Sequence, residues 1–542
     1  MGMLESVDLE AKVSKEEYKP RKDELIARLA SLQQQAHDAE LPVIVVFEGW
    51  DAAGKGSRIS DLVANLDPRL FLVHVARKPV GHEGRLPFMQ RFWEKVGSHG
   101  TMSFFDQSWY RRAVHIIAEP DSDKKKKRRV KEFGQSLDRM GSAYGAQSNA
   151  AASEIEALAS SIVSFEKQFA DDGYTIVKFF LHISAEEQQR RFAKLAGDPA
   201  TKWRVTKRDR KHSRNYRQIY KAADKLLEKT DYEFSPWHVV AATDGRTANL
   251  QIMETLADAI EEGIARKKQR AAAAQAESEG RAKLPRMAQI GDASGLVSAF
   301  PLVKVPALAD ASHDLILDAD TYREQLKAEQ KKLSRYGQIL RKEKIPMLIG
   351  LEGWDAAGKG GAIKRIARAL DARGYRVVPS SSPTWDEKHH PFLWRYWTKL
   401  PRTGHVAIYD RTWYGRVLVE RIEGFATQAE WQRAYDEINE FEWELEQWGA
   451  ILVKLWVDVS ADEQLARFEA RQADPAKRYK ITDEDWRNRE KSDLYRVCID
   501  DMMRLTSTEY APWQIVESDC KYYARVKALK IVNAAIEKRL GL

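Results

Sequence analysis

The residues with the clearest chemical purpose form a glycine-rich stretch, Glu352-Gly-Trp-Asp-Ala-Ala-Gly-Lys-Gly-Gly361. It follows the apolar run Pro346–Leu351 and precedes the helix-like segment Ala362–Leu370. A strand, a glycine-rich turn and a helix that starts with a lysine are the parts of a phosphate-binding loop. Backbone N–H groups converge on a phosphate there, and the helix N-terminus and the lysine add positive charge. The residues predicted to hold phosphate are Gly353, Ala356, Ala357, Gly358, Lys359, Gly360 and Gly361.

The loop lacks the usual metal-binding hydroxyl. The spacing G-x-x-x-x-G-K is normally followed by Ser or Thr, which holds Mg²⁺, but Gly360 occupies that position. Two carboxylates can replace it: Asp355 inside the loop, and Asp410 at the end of the apolar run Gly404–Tyr409. An acid at the end of a neighbouring strand is typical of magnesium sites in phosphoryl transfer, although Asp at such a junction also caps helices. We predict Mg²⁺, with Mn²⁺ as an alternative, on these two aspartates.

Two arginines follow the second of these acids. Arg411 and Arg416 flank Trp413 and Tyr414. Guanidinium groups pair with phosphate oxygens through two parallel hydrogen bonds, so we predict that both arginines contact the reacting phosphates. The two aromatic residues are expected to pack in the core rather than to stack on a base.

A further basic group lies after the fourth predicted strand. Ser460–Glu463 has the pattern of a helix capping box, and the helix that follows carries Arg467 and Arg471 on one face. Lys477 and Lys480 lie just beyond it. Phosphate kinases close a mobile cationic lid over the transferring group, which neutralises charge and excludes water. Beside a phosphate loop we interpret this group as such a lid; alone, it would equally fit a solvated surface.

The first nine residues of the stretch also occur near the start of the chain, at Glu48–Gly56, 304 positions earlier (Glu352 against Glu48). Asp106–Arg112 matches Asp410–Arg416 at the same shift, and Lys178–Ser184 matches Lys454–Ser460 at a shift of 276 (Ser460 against Ser184). The chain is therefore an internal duplication. The difference between the shifts, about 28 residues, is extra chain in the first half.

Within each half, apolar runs alternate with amphipathic helical segments. In the second half the runs are Pro346–Leu351, Arg376–Pro379, His405–Tyr409, Ile451–Val459 and Gln514–Val516. This alternation predicts a mostly parallel sheet between helices. The predicted fold class is α/β, with two tandem phosphate-loop domains at residues 1–264 and 314–542. The alanine-, glycine- and proline-containing segment 265–313 is predicted to be a linker.

Composition restricts the class of protein. The chain has 542 residues, of which 43% are hydrophobic, enough for two or more packed domains. Its net charge of +8 favours a polyanionic partner. The two cysteines, Cys498 and Cys520, suit a reducing compartment. Since neither a signal peptide nor a membrane-spanning run is visible, we expect a cytoplasmic protein without a membrane partner.

Three motifs together resemble polyphosphate kinase family 2: Gly353–Gly361, Asp410–Arg416, and Arg471-x-x-Asp-Pro-x-Lys-x-Tyr-Lys480. The duplicated layout is similar to the two-domain branch of that family, the polyphosphate:AMP phosphotransferases. The resemblance implies a phosphate-loop kinase fold similar to thymidylate kinases, dependence on Mg²⁺, and phosphoryl transfer between inorganic polyphosphate and a nucleotide. It also implies that the loop, metal and lid roles belong to Asp355, Lys359, Asp410, Arg411, Arg416 and Arg471.

The first half departs from this pattern at four positions, where Gln107 replaces Arg411, Arg111 replaces Gly415, Leu195 replaces Arg471 and Thr201 replaces Lys477. Three of the four changes remove positive charge. Loss of one charged transition-state contact commonly costs on the order of 10²–10³ in rate. We therefore predict a first half that folds, binds phosphate weakly and is weakly active or inactive. It would dock on the second half as a pseudo-subunit or help to hold a long polyphosphate chain.

The expected reaction is in-line transfer of a terminal phosphoryl group from polyphosphate to AMP, which gives ADP. AMP rather than ADP as acceptor follows from the fused layout alone. Two alternatives stay open: an ATP-dependent nucleotide kinase, and a non-catalytic polyanion or nucleic-acid binder that uses the basic run Lys124–Arg129. No module specific for nucleic acid is visible, and a homo-oligomer is left open. The residues predicted to be catalytic are Asp355, Lys359, Asp410, Arg411, Arg416, Arg467 and Arg471.

Overall fold

The computed structural model describes residues 2–77, 79–118, 154–305, 307–475, 478 and 481–542. These residues form two five-stranded parallel sheets, one in each half. The strands of the first sheet are β1 (Val43–Gly49), β2 (Phe71–Val75), β3 (Met102–Asp106), β4 (Thr175–His182) and β5 (Trp237–Ala241). Those of the second are β6 (Met347–Gly353), β7 (Tyr375–Pro379), β8 (Val406–Asp410), β9 (Ile451–Asp458) and β10 (Trp513–Glu517). The predicted α/β fold with two tandem domains is confirmed, and the predicted strands of the second half lie within two residues of the observed bounds.

The two sheets have the same strand order, β2-β3-β1-β4-β5 and β7-β8-β6-β9-β10. The central strands β1 and β6 each lead into a glycine-rich loop. Every residue of β6 is buried, as expected for a central parallel strand that is covered on both faces. The register pairs Leu351 with Asp410, so the end of β8 lies beside the start of the loop.

Helices flank both sheets. Those of the first half are α1 (Lys15–Asp38), α2 (Lys55–Val63), α3 (Gln90–Trp93), α4 (Tyr110–Ala118), α5 (Glu154–Asp171), α6 (Ala185–Gly197), α7 (Lys207–Arg214), α8 (Tyr216–Lys229) and α9 (Gly245–Arg281). Those of the second are α10 (Ala319–Glu343), α11 (Lys359–Ala369), α12 (Trp385–Lys388), α13 (Trp394–Trp397), α14 (Val419–Glu423), α15 (Gln428–Gln447), α16 (Ala461–Ala473), α17 (Asp483–Glu490), α18 (Ser492–Thr506) and α19 (Lys521–Leu540). Across the described ranges, no helix combines the length and apolar character needed to cross a membrane.

The segment predicted as a linker begins inside a helix. Helix α9 continues without a break past residue 265 to Arg281, because its alanine-rich run 271–274 has high helix propensity. Beyond it, 3₁₀ turns form at Arg286–Ile290 and Leu308–Asp310. Between these turns the chain lies on the second half, where the Val303 amide donates to the Ser507 carbonyl. The limits of the two domains stay a prediction.

The two halves pack against each other through matching surfaces. Trp93 of α3 stacks on Trp397 of α13, with ring centroids 5.6 Å apart and ring planes inclined by 13°. The two tryptophans occupy equivalent positions in the duplication, since they are 304 residues apart. Each half therefore offers the same residue to the other, as two subunits do across a two-fold axis.

Two backbone hydrogen bonds between the halves show the same two-fold relationship. The Thr403 amide donates to the Arg85 carbonyl, and the His99 amide donates to the His389 carbonyl. Thr403 is equivalent to His99, and His389 is equivalent to Arg85, so the two bonds are related by the same two-fold operation. The halves are thus arranged as the expected pseudo-subunits.

Helix α15 brings a buried carboxyl group to this contact. Ser160 Oγ, on α5, donates to Glu440 Oε1 at 2.9 Å, and both side chains are buried. Burial raises the pKa of Glu440 to about 7, although the hydrogen bond from Ser160 opposes the shift. The equivalent of Glu440 in the first half is Ser164, a neutral residue, so α5 does not present an equivalent carboxylate.

Replacement of Glu440 by Gln should make the protein less sensitive to pH. Between about pH 4.5 and 7 the native Glu440 keeps a proton that the unfolded chain has released, so the stability contributed by this group falls as pH rises. Glu440→Gln removes that loss and should be more stable than the wild type at pH 8, by roughly 1–3 kcal/mol. Chemical denaturation at pH 5 and pH 8 measures this. A variant that is weaker than the wild type at both pH values would contradict the prediction.

Candidate active site

The second phosphate loop (Gly353–Gly361) has the backbone conformation of an anion cradle. Gly353, Ala356 and Gly358 have φ values of 146°, 59° and 112°. Gly353 is required by contact as well as by conformation, because a Cβ there would lie 2.2 Å from the Val457 carbonyl oxygen of β9. Gly358 caps α11, whose first residue is Lys359. The N-terminus of α11 is thus directed at the space enclosed by the loop.

Side chains satisfy five successive carbonyls of the loop. Lys359 Nζ donates to the carbonyls of Gly353 at 2.6 Å and Trp354 at 3.0 Å. Gln464 Nε2 donates to the Asp355 carbonyl at 3.0 Å. Arg467 Nη1 donates to the next two carbonyls, at 2.9 and 3.0 Å. Because each of these carbonyls has a side-chain donor, the backbone conformation of the loop, and with it the direction of the loop amides, is fixed.

Arg467 therefore has a different role in the structure from the predicted lid contact. The side chain is buried, and its second terminal nitrogen donates to the carbonyls of Ser518 and Asp519 after β10. Its Nε donates to Glu463 at 2.7 Å. The guanidinium thus braces the loop from behind rather than closing over a phosphate. For the same reason the predicted capping box is half formed: Ser460 accepts from the Glu463 amide, while the Glu463 carboxylate binds Arg467.

Asp355 lies at the centre of the polar contacts of the loop. Its carboxylate accepts from Arg411 Nη2 at 2.6 Å and from Asn488 Nδ2 of α17 at 2.8 Å. Burial alone would raise the pKa of Asp355, but the charges of Lys359 and Arg411 and these hydrogen bonds outweigh it, so the pKa lies below the ordinary value. Asp355 is therefore ionised at neutral pH.

Lys359, Asp410 and Arg411 meet at the same edge of the sheet. Burial, together with the positive charge of Arg411, lowers the pKa of Lys359, while Asp410 is among the acids that oppose this shift. Arg411 adopts a φ of 64°, a conformation that costs energy for a residue with a side chain and that turns the chain sharply after β8. Sequence reasoning placed these three groups together, and the structure brings them together.

The acidic side chains at the loop decide whether this site could bind a divalent cation. Among the described residues, no group of three or more His, Cys, Asp or Glu side chains lies together as a metal site. Mg²⁺ is usually held by one or two carboxylates, with water and phosphate oxygens as the other ligands. In the first half, Asp106 Oδ2 lies 3.7 Å from where a Cβ of Gly56 would be, and Gly56 stands where the metal-binding hydroxyl is usual. In the second half, nothing in the described structure lies within 4 Å of the same point at Gly360. The fit there rests on the chemistry of the donors, because the carboxylates of Asp355 and Asp410 are oxygen ligands of the kind that a hydrated Mg²⁺ takes.

Sequence reasoning gave no role to Glu352, the residue before the loop. Its buried carboxylate accepts from the Thr412 amide at 2.6 Å and from Thr412 Oγ1 at 2.7 Å, and so ties the end of β6 to the turn after β8. Burial raises the pKa of Glu352, although the charge of Arg411 and the hydrogen bonds from Thr412 oppose the shift. Glu48 makes the same two contacts with Ser108. The repetition of this acid in both halves was the signal that could have revealed it.

The contacts of Arg416 are with residues outside the phosphate loop. Its guanidinium pairs with Glu420 at 3.0 Å and lies 4.7 Å from the centre of the Phe392 ring. Trp413 and Tyr414 are buried, which confirms that they are core residues, and Tyr414 bonds Glu442 and the buried Lys454. The structure thus pairs the Arg416 guanidinium with Glu420.

Arg471 lines a cavity of about 450 Å³ next to the phosphate loop, together with Ala356, Ala357 and Gly358. It lies in the last turn of α16, where the sequence predicted it. Lys477 and Lys480, predicted to bind phosphate, lie outside the described residues. The basic run Lys124–Arg129 does so too.

The first phosphate loop (Gly49–Gly56) repeats the scaffold of the second. Gly49, Ala52 and Gly54 have positive φ values, as their equivalents do. Its carbonyls accept from the equivalent side chains, Lys55, Gln188 and Arg191. The support of the loop is therefore the same in both halves.

The charged groups in front of the first loop differ. Gln107, with a φ of 62°, takes the place of Arg411 without its charge, and Leu195 takes the place of Arg471. Asp51 has His212 Nδ1 at 3.2 Å, where the second half has Asn488 beside Asp355. The first half thus keeps the loop and loses cations that would contact phosphate.

The parallel sheets, the loops at their central strands and the acids at the neighbouring strand ends define a phosphate-loop phosphotransferase. A sequence profile described as Polyphosphate kinase 2 (PPK2) matches residues 12–147, 147–269 and 316–540. These matches cover most of the chain and both halves. The chain therefore belongs to the polyphosphate kinase 2 family.

Relatives match the chain over nearly its whole length. It is 35% identical over 536 residues to the polyphosphate:AMP phosphotransferase of Pseudomonas aeruginosa, with 99% of each chain covered. It is 30% identical over 511 residues to the polyphosphate:AMP phosphotransferase of Acinetobacter johnsonii, with 94% of each covered. A crystal structure described as a polyphosphate kinase 2 from Pseudomonas aeruginosa superposes with a TM-score of 0.79 and 32% identity, over 99% of both chains.

Because Arg467 supports the loop of the proposed catalytic half, its removal should lower kcat, whereas removal of its equivalent Arg191 in the first half should not. Arg467→Ala leaves loop carbonyls without a donor, so it should destabilise the protein by about 2–3 kcal/mol and lower kcat on the order of 100-fold. Arg191→Ala makes the same change behind the first loop and should lower stability without a comparable loss of kcat. Denaturation and initial rates measure both effects. Full activity of Arg467→Ala would contradict the assigned role.

Proposed function

We propose that this protein transfers the terminal phosphoryl group of inorganic polyphosphate to AMP, forming ADP, and that it does so in its second half. The observation that carries the proposal is the convergence of Lys359, Arg411 and two carboxylates on one phosphate loop. The full-length relatives are named for the same reaction. The two cysteines are unpaired, which suits a cytoplasmic enzyme.

In the proposed reaction, an oxygen of the AMP phosphate attacks the terminal phosphorus of the polyphosphate chain. A new P–O bond forms to AMP as the bond to the bridging oxygen breaks, and the chain leaves one phosphate shorter. Such a transfer has a loose transition state, so catalysis comes from positioning and from charge stabilisation. The loop amides and Lys359 hold the transferred phosphate, and Arg411 faces it from the turn after β8.

Asp355 and Asp410 would hold the Mg²⁺, with Mn²⁺ as an alternative. When bound, the cation supplies positive charge to the phosphate oxygens. Arg411 and Asn488 both contact Asp355, so these residues orient its carboxylate. Asp355 would also orient the acceptor phosphate. Arg471 and Arg416 would contribute further positive charge to the polyanion.

An assay without ATP tests the proposed reaction. AMP, long-chain polyphosphate and Mg²⁺ should give ADP, which a luminescence readout or ³¹P NMR detects, and chelation by EDTA should stop the reaction. If ADP forms only when ATP replaces polyphosphate, the protein is an ordinary nucleotide kinase. Tight, salt-sensitive binding of polyphosphate without turnover with AMP, ADP or GMP would instead favour the non-catalytic binder.

The two phosphate-loop lysines form a matched pair for locating the active half. Lys359→Ala removes a charge that contacts the reacting phosphates, so kcat should fall on the order of 10²–10³-fold. Lys55→Ala makes the same change in a half that lacks the equivalents of Arg411 and Arg471, and should leave kcat within about two-fold of the wild type. Initial rates of ADP formation measure both variants. A fully active Lys359→Ala protein would show that the second half is not the catalytic one.

A further inference from the structure

The cavity of about 450 Å³ beside the second phosphate loop is lined by the loop, the first turn of α11, α16 and the N-terminal part of α19, together with one valine each from β9 and β10. Of the described residues, its charged lining consists of one acid, Glu463, and four cations, Arg467, Arg471, Lys521 and Arg525. Arg467 is committed to the loop carbonyls. The others extend a positive surface away from the loop.

Lys521 and Arg525 lie one helical turn apart on α19, so both face the same side. Arg525 Nε lies 3.5 Å from where a Cβ of Gly361 would be, which places this guanidinium against the end of the phosphate loop. Lys521 Nζ lies 3.7 Å from Glu463, an acid that Arg467 also binds, and about half of the Lys521 side chain is exposed. Positive charge thus continues from the loop along α19.

The first half lacks these two cations. Its equivalents of Lys521 and Arg525 are Gly245 and Asn249. The Arg58 guanidinium lies against Gly245 and donates to its carbonyl at 2.6 Å, and it also pairs with Asp61. Asn249 donates to Asp61 as well. In the first half, the region equivalent to this wall of the cavity is therefore occupied by side chains that bind one another.

The first half has cations near the equivalent region, but on α6 rather than at the positions of Lys521 and Arg525. Arg190 and Lys194 of α6 stand where Ala466 and Ala470 line the cavity of the second half. Arg190 pairs with Glu187 at 2.7 Å. The first half thus has no cation at the positions equivalent to Lys521 and Arg525.

We propose that Lys521 and Arg525 bind phosphates of the donor chain beyond the one that is transferred, and thereby make the enzyme prefer long polyphosphate. This inference rests on the proposed function. A polyphosphate chain carries about one negative charge per phosphate and offers no base or sugar to recognise, so a row of cations is the complementary surface. On this proposal a donor with few phosphates makes fewer contacts with α19 than a long chain does.

The double variant Lys521→Ala/Arg525→Ala tests the proposal in the full-length protein. The KM for long-chain polyphosphate should rise about ten-fold or more, while kcat/KM for tripolyphosphate and the KM for AMP stay within about two-fold. The binding of long-chain polyphosphate, measured by calorimetry without AMP, should weaken by a similar factor and depend less on salt. Lys530→Ala is the matched control, since Lys530 lies on the same helix, is exposed and does not line the cavity.

The outcomes separate the two proposals. If the wild type forms no ADP from polyphosphate and AMP, the proposed function fails. If the wild type is active but the double variant keeps its affinity for long chains, the assignment of Lys521 and Arg525 alone is overturned. Equal losses with tripolyphosphate and long chains would overturn it too, because they would place the two cations at the reacting phosphates. The single variants Lys521→Gln and Arg525→Gln provide the same comparison if the double variant does not fold.

Discussion

The structure depends on one constraint: a loop whose amides converge on an anion must direct its carbonyls into the protein, where each needs a donor. In the second half, Lys359, Gln464 and Arg467 supply donors to five successive carbonyls. Arg467 also binds the carbonyls after β10, so the loop is coupled to the edge of the sheet. The loop is therefore held in place before any phosphate is bound, which is what phosphoryl transfer by positioning requires.

The duplication separates the support of the loop from its chemistry. Both halves keep the glycine conformations, the acid before the loop and the arginine behind it. Both also keep a buried lysine–glutamate pair that joins a strand to a flanking helix, Lys178 with Glu166 and Lys454 with Glu442. The differences lie among the cations in front of the loop and along the last helix. The first half thus satisfies the demands of folding and of pairing with the second, while the second half carries the charge needed for a polyanionic donor.

The sequence predicted the parts of the fold that depend on local pattern. Glycine spacing located both loops, apolar runs located the strands of the second half to within two residues, and Asp410 was expected at a strand end. The role of Arg467 could not be predicted from the sequence. An arginine on a helix beside a phosphate loop gives the same sequence pattern whether its guanidinium faces the ligand or the loop carbonyls. The contacts of Glu352 with Thr412 and of Asn488 with Asp355 join residues far apart in the chain, so spacing gave no signal for them. The pairing of Trp93 with Trp397 was likewise a tertiary contact.

A crystal structure with Mg²⁺ and tripolyphosphate bound would test the central claim most directly, because it shows which loop holds the reacting phosphate. We expect a phosphate on the amides of Gly353–Gly361, within hydrogen-bonding distance of Lys359 and Arg411, and a cation on Asp355 and Asp410. A phosphate and cation held only by the loop at Gly49–Gly56 would contradict the account.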